Sequence, residues 1–333
     1  MTDSLLRLRT QLAEFTHAHL GRQWVVGDLQ PTSGHAGFSY TFRVEHDGGK
    51  AERFFLRLPP AGVRQVGTAD VLRQVCAMKA LDRTDAPHAR VVWSGSDPAW
   101  FGTPYFITSF VDGVTFDSED RVSSLGNDDV QSIASQALSA LLELRRVPWH
   151  ETCGYLLPVI DLHARIAGWD RFYDRAAERH ALLATAPQVR NRLLRTAPSG
   201  DDMALCHGDF QFGNLMFDSD LRLRAIIDWE LCSVGPALRD LGWLVAWHDQ
   251  AAWGPSPRPM AARLTAKDIV DLVPSDVDLA HLDWFEALAL YEYAVMSGFN
   301  LMLHRRGKRP DESWEWRSRS APANLERARE LLR

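Results

Sequence analysis

The chain has 333 residues, enough for one large domain or two medium ones. Its 46% apolar and 24% charged residues are those of a folded globular protein, and a formal charge of −6 leaves no electrostatic footprint for nucleic acid. No apolar run approaches a membrane span, the N-terminus lacks a signal-peptide pattern, and the four cysteines have no CxxC or disulfide-like spacing, so a cytoplasmic chain without structural metal is expected.

The first predicted element is a helix, with Leu5, Leu8, Leu12 and Phe15 at helical spacing behind a cap at Asp3 or Ser4. Residues about 24–112 then read as short strands around one helix. "SYTFRVEH" and "RFFLRLPP" flank the turn Asp47-Gly48-Gly49, a hairpin signal. "DVLRQVCAMKALDRT" carries Val71, Val75, Met78 and Leu81 at helical spacing, and "ARVVWSG" and "PYFITSFVDG" follow as two more buried strands. Beyond Gly113 the pattern turns helical. "NDDVQSIASQALSALLELRRV" is a strongly periodic helix, and others are predicted around 161–182, 240–250 and 279–303. A pair of short strands is expected to bracket 204–230. The fold class is therefore α+β: a small antiparallel-sheet lobe over residues 1–112 and a larger, mostly helical lobe over 113–333.

Within "ALCHGDFQFGNLMFD", an apolar run holds His207, Asp209 and Asn214, and an unpaired carboxylate in such surroundings is costly. "AIIDWE" then ends an apolar strand on Asp228. Three readings are open for these acids: buried structural carboxylates, metal ligands of a hydrolase together with His207, or a phosphoryl-transfer set. An Asp and an Asn five apart, followed by an Asp at a strand end, is the spacing found in protein kinases. Phosphoryl transfer asks a protein for positioning and charge neutralisation more than for covalent help. Asp209 would orient an acceptor hydroxyl and take its proton, while Asn214 and Asp228 offer the oxygen ligands that Mg²⁺ prefers. His207 reads as a loop brace.

The wording "HGDFQFGNLMFD…AIIDWELCSVGPALRDLGWL" resembles the aminoglycoside phosphotransferase and choline kinase superfamily, and within it the phosphotransferase domains related to those fused to acyl-CoA dehydrogenases. The resemblance runs over about residues 30–250. It implies a two-lobed, protein-kinase-like fold and a Mg²⁺-dependent transfer of the γ-phosphate of ATP or GTP to a hydroxyl of a small molecule. By the same resemblance, "PTSGHAGFSYTF" stands where the family has its phosphate loop, so that Ser33, Gly34, Gly37 and Ser39 would meet the phosphates. Arg57, in "FFLRLPP", stands where many kinases carry a Lys, and Gln74 where a partner Glu is expected. A guanidinium can grip phosphate in two-pronged fashion, whereas Gln74 can offer Arg57 one neutral hydrogen bond. Arg57 also reads as a surface arginine beside a Pro-Pro turn. The backbone of Ser109 and Val111 would meet the adenine edge. Asp240 reads as a helix N-cap with Trp243 and Trp247 in the core behind it, although the resemblance suggests a brace for the catalytic loop.

The loss of the partner acid leaves open a nucleotide-binding module without transfer activity. A protein kinase would be expected to show an Ala-Pro-Glu segment after Asp228, and none is present. From Glu286 onward seven acids face nine Lys and Arg, which does not suit a polycationic aminoglycoside. The basic run "HRRGKRP" reads as a solvated helix end in preference to a site for an anionic substrate, and an apolar or acyl-bearing hydroxylated acceptor is the expectation over an antibiotic.

Overall fold

Helix α1 (Asp3–Leu20) lays Leu8, Leu12 and Phe15 against the outer face of a sheet, where Phe15 meets the rings of Trp100 and Tyr105 at centroid distances of 5.3 and 5.5 Å. The computed structural model describes residues 3–32, 38–60, 62–200, 202–254 and 259–333. The sheet has strands β1 (Trp24–Pro31), β2 (Phe38–His46), β3 (Ala51–Leu58), β4 (Val91–Gly95) and β5 (Tyr105–Ser109). They pair antiparallel in the order β1-β2-β3-β5-β4. Alternating burial along β3 places Phe54 and Leu56 toward α1 and turns Phe55 and Arg57 to the opposite face.

That opposite face receives helix α2 (Val71–Leu81), capped by Asp70, whose carboxylate accepts from the amides of Leu72 and Arg73. The buried side of α2, Val75, Met78 and Leu81, belongs to one core with Ile133 and Leu141 of helix α3 (Asn127–Leu144) and with Phe210 and Phe217. The apolar core thus runs without a break from α2 into the helical part. After β5, Val114 and Phe217 exchange backbone hydrogen bonds at 2.8 and 2.9 Å, which seats the connecting segment on that part.

Next come α4 (Leu162–Gly168) and α5 (Ala186–Arg195), then strands β6 (Met203–Cys206), β7 (Leu215–Phe217), β8 (Leu223–Ile226) and β9 (Ser233–Pro236). Helices α6 (Leu238–His248), α7 (Leu282–Arg305) and α8 (Ala321–Leu331) complete the body. Two sequence expectations are corrected here. The region 204–230 is framed by four short strands, paired β6–β9 and β7–β8, where one pair was expected. The helix expected over 161–182 is broken after Gly168: Glu178 adopts a left-handed φ of 49°, and the Ala177 amide leaves the helical ladder for the Gly298 carbonyl of α7. Among the described residues, no helix is long and apolar enough to cross a membrane.

Candidate active site

The loop leaving β6 is fixed from two sides. His207 is fully buried; its Nε2 donates to the Ile227 carbonyl at 2.8 Å, and its Nδ1 accepts the Asp209 amide at 3.2 Å. Both nitrogens are spent on backbone, which makes the ring a brace and fixes its tautomer. Gly208 has φ 92°, and a Cβ there would lie 2.4 Å from the Leu231 carbonyl oxygen, so only glycine fits. Asp240 accepts the amides of His207 at 2.5 Å and Gly208 at 2.9 Å from within α6, whose N-cap is Ala237. The N-cap expectation for Asp240 is thereby corrected: its carboxylate holds the loop.

Held this way, Asp209 faces a cavity. Its Oδ2 accepts Asn214 Nδ2 at 3.0 Å and its Oδ1 accepts Trp243 Nε1 at 2.8 Å. Trp243, expected in the core, sits half-buried with its indole N–H on the central carboxylate. Burial pushes the Asp209 carboxyl up from its ordinary value, aided by the charge of Asp228, while His207 and the donors Asn214 and Trp243 pull it back. Asn214 Nδ2 also donates to the Asp209 carbonyl at 2.8 Å. With its amide nitrogen committed, Asn214 offers its side-chain oxygen as an acceptor. Asp228 follows β8 with a left-handed φ of 63°, a conformation that Asp tolerates better than most residues.

Arg57 is joined to the helical part from the other side. Its Nη1 donates to Ser39 Oγ at 2.9 Å and its Nη2 to Glu230 Oε2 at 3.1 Å. Arg73 of α2 donates to the Glu230 carbonyl at 2.6 Å. The acid missing at position 74 is thus supplied from two residues beyond Asp228. Gln74 is buried, with its Nε2 lacking any hydrogen-bond partner. Glu230 has a pKa pushed up to about 7, by burial first and then by Asp228, against the pull of Arg57 and Arg309.

Two cavities meet at this place. The smaller, about 320 Å³, lies between the sheet and the body, and Ser39, Arg57, Gln74, Ser109 and Val111 all line it. The Ser109 amide is already given to the Arg90 carbonyl at 2.9 Å. The larger, about 1020 Å³, is lined by Asp209, Asn214 and Glu230 and extends to Trp247, Arg309 and Arg317. Asp228 lines both. Ser33, Gly34 and Gly37 lie outside the described residues.

The donor set suits Mg²⁺. Asn214 and Asp228 present hard oxygen atoms, and Mg²⁺ takes few protein ligands because it keeps water and phosphate oxygens. Among the described residues, no three His, Cys, Asp or Glu side chains are arranged to hold a metal by themselves.

Two partners of this site were beyond sequence reasoning, Trp243 as a donor to Asp209 and Glu230 as the partner of Arg57, while Asp240 as the loop's anchor was suggested by the family resemblance against its reading as an N-cap. The one sequence signal was spacing, since Asp240 and Trp243 lie one turn apart on α6 and Glu230 stands two residues past Asp228.

A five-stranded antiparallel sheet seated on a helical body is the architecture of kinase-like phosphotransferases. The chain belongs to the phosphotransferase enzyme family, which matches residues 28–272. A putative aminoglycoside phosphotransferase from Ralstonia eutropha has the same fold, with a TM-score of 0.75 at 18% identity over 96% of this chain and 98% of that one. The choline kinase LicA from Streptococcus pneumoniae gives a TM-score of 0.58 at 14% identity, covering 98% of this chain and 99% of that one. In sequence, acyl-CoA dehydrogenase family member 11 of Gallus gallus is 28% identical over 231 residues, which are 68% of this chain and 28% of that protein. Probable acyl-CoA dehydrogenase IBR3 of Arabidopsis thaliana is 26% identical over 227 residues, 63% of this chain and 27% of that protein. The matched region spans little more than a quarter of the length of these relatives.

Proposed function

We propose that this chain transfers the γ-phosphoryl group of ATP or GTP to a hydroxyl of a small molecule, with Asp209 as base and with Asn214 and Asp228 as Mg²⁺ ligands. The observation that carries this reading is the junction at Asp228. One cavity there is lined by Arg57 and the inner face of the sheet, and the other by the base candidate Asp209. Solved structures of the same fold include an aminoglycoside phosphotransferase with GDP, at a TM-score of 0.65, and LicA with AMP, at 0.58, which supports a nucleotide as donor.

The chemistry then divides among named groups. Nucleotide enters the smaller cavity, its base against Ser109 and Val111 and its phosphates toward Ser39, Arg57 and the segment around Gly34 and Gly37. Bound Mg²⁺ would supply charge neutralisation for the phosphates at Asn214 and Asp228. The acceptor hydroxyl lies against Asp209, which takes its proton as the oxygen–phosphorus bond forms and the bond to the β,γ-bridging oxygen breaks. Asn214 and Trp243 keep the Asp209 carboxylate aimed into the cavity. The division between lobes that we propose, after residue 112, falls in the segment joining β5 to the Val114–Phe217 contact. The four buried, unbridged thiols support a cytoplasmic location.

The test measures phosphate transfer from ATP and GTP to a panel of hydroxylated compounds with and without Mg²⁺. Acceptor- and Mg²⁺-dependent transfer is expected. Nucleotide binding without transfer to any hydroxyl would leave a binding module instead. The absent acid at position 74 prompted that rival, and Glu230 now supplies the partner whose loss motivated it.

A further inference from the structure

Three of the four cysteines converge, from separate parts of the chain, where α2 meets the helical body. Cys76 comes from α2, Cys153 from the end of the short helix Trp149–Thr152, and Cys232 from just past Glu230, and all three are buried in one apolar core. Cys76 Sγ lies 3.6 Å from the Thr152 carbonyl oxygen and shares a hydrogen bond with the neighbouring Cys153 thiol. Thr152 Oγ1 donates to Cys153 Sγ at 3.7 Å. Cys232 takes a different partner: its Sγ lies 3.9 Å from the Arg73 carbonyl oxygen, and the Arg73 side chain is hydrogen-bonded to it. The three sulfurs are not arranged to hold a metal.

Two thiols already in contact are within reach of a disulfide without movement of the backbone. They are unlike in acidity. The hydrogen bond from Cys76 pulls the Cys153 thiol down to about 7, with help from Thr152 and against burial, whereas the same hydrogen bond and burial push Cys76 up. A thiol that ionises near the ambient pH is the most effective attacker. Cys232, pushed up to about 12 by burial, stays protonated. The path from solvent runs by the segment after Cys153, where Tyr155 and Leu156 are 76% and 53% exposed, so a local opening there admits a molecule little larger than water.

We propose that Cys76 and Cys153 are an oxidation site, which hydrogen peroxide converts to a reversible disulfide that pins α2 to the helical body. The Cys153 thiolate attacks one peroxide oxygen, the O–O bond breaks and the departing hydroxide takes up a proton, which leaves a sulfenic acid on Cys153. The Cys76 sulfur then attacks the Cys153 sulfur, and its proton leaves with the hydroxyl group as water while the S–S bond forms. Two thiols give up two electrons and one peroxide becomes two waters. Because α2 also carries Arg73, the donor to the Glu230 carbonyl, and Gln74 of the smaller cavity, the bond fixes the helix behind the candidate active site. The full chain, reduced and freed of reductant, is treated with hydrogen peroxide in slight excess. Thiols titrated in denaturant are expected to fall from four to two, peptide mapping without reduction to recover the Cys76–Cys153 link, and Tm to rise by about 5 °C or more, all reversed by dithiothreitol. Cys153→Ala is expected to form no bond under the same exposure, and Cys76→Ala serves as the second variant should the first not fold. Four thiols surviving the peroxide, a link through Cys206 or Cys232, Cys153 oxidised past the sulfenic acid with no bond, or a Tm that does not rise overturns the proposal.

Discussion

Asp209 owes its position to donors that come from far along the chain. Asn214 lies in the same loop, but the Trp243 indole and the Asp240 carboxylate belong to α6 and reach back over more than thirty residues. The local part, His207 to Asn214 and then Asp228, could be read from spacing because one loop and one strand end carry it. Spacing did not give the distant part: the family resemblance suggested Asp240 as a brace, but helical periodicity gives a tryptophan's face and not its partner. Trp243→Phe removes one donor that holds the Asp209 carboxyl down. Its pKa then rises, the acid limb of the kcat–pH profile moves to higher pH, and kcat falls by about tenfold. A profile measured on the variant with an unmoved limb would contradict this role.

Among the helices, α7 meets α8 and the end of α6 through a buried acid pair. Burial, followed by the neighbouring Asp249, pushes the Glu286 carboxyl from 4.5 up to about 9, so it keeps its proton at neutral pH and bonds Asp249. Arg327 of α8 completes the set by pairing with Asp249. The folded chain binds this proton more tightly than the unfolded one, so the stabilisation is whole below the ordinary value and drains away as pH rises through about 9. Glu286→Gln keeps a neutral donor. Its Tm is expected to decline less than that of the unaltered chain between about pH 6 and about pH 10, as thermal unfolding would show. Parallel curves would contradict it. Elements themselves were legible where the pattern was local: the β2–β3 hairpin and the uninterrupted run of α3. The pieces between Leu162 and Leu182 were not, because their breaks answer to contacts with α7 such as the Ala177–Gly298 hydrogen bond.

Across the whole molecule, sheet and body are joined at the site by Arg57 and Glu230, 173 positions apart. No sequence pattern announces such a pair, whereas the overall order of sheet followed by helices was plain from the hydrophobic spacing along the chain. Glu230 has a pKa of about 7, so as pH rises its carboxylate competes with nucleotide phosphates for Arg57. Nucleotide affinity should weaken as pH climbs through about 7, and Glu230→Gln should abolish that dependence and tighten binding severalfold at the alkaline end. Calorimetry across the pH range checks this, and an unchanged slope in the variant would refute it. The account as a whole stands on Asp209 acting on an acceptor while nucleotide is held elsewhere, by Arg57 and the sheet. The decisive measurement is kcat beside nucleotide Kd for Asp209→Asn. A loss in kcat of about a thousandfold with Kd within about threefold is predicted; turnover at the level of the unaltered chain, or a Kd that weakens as far as kcat falls, would contradict it.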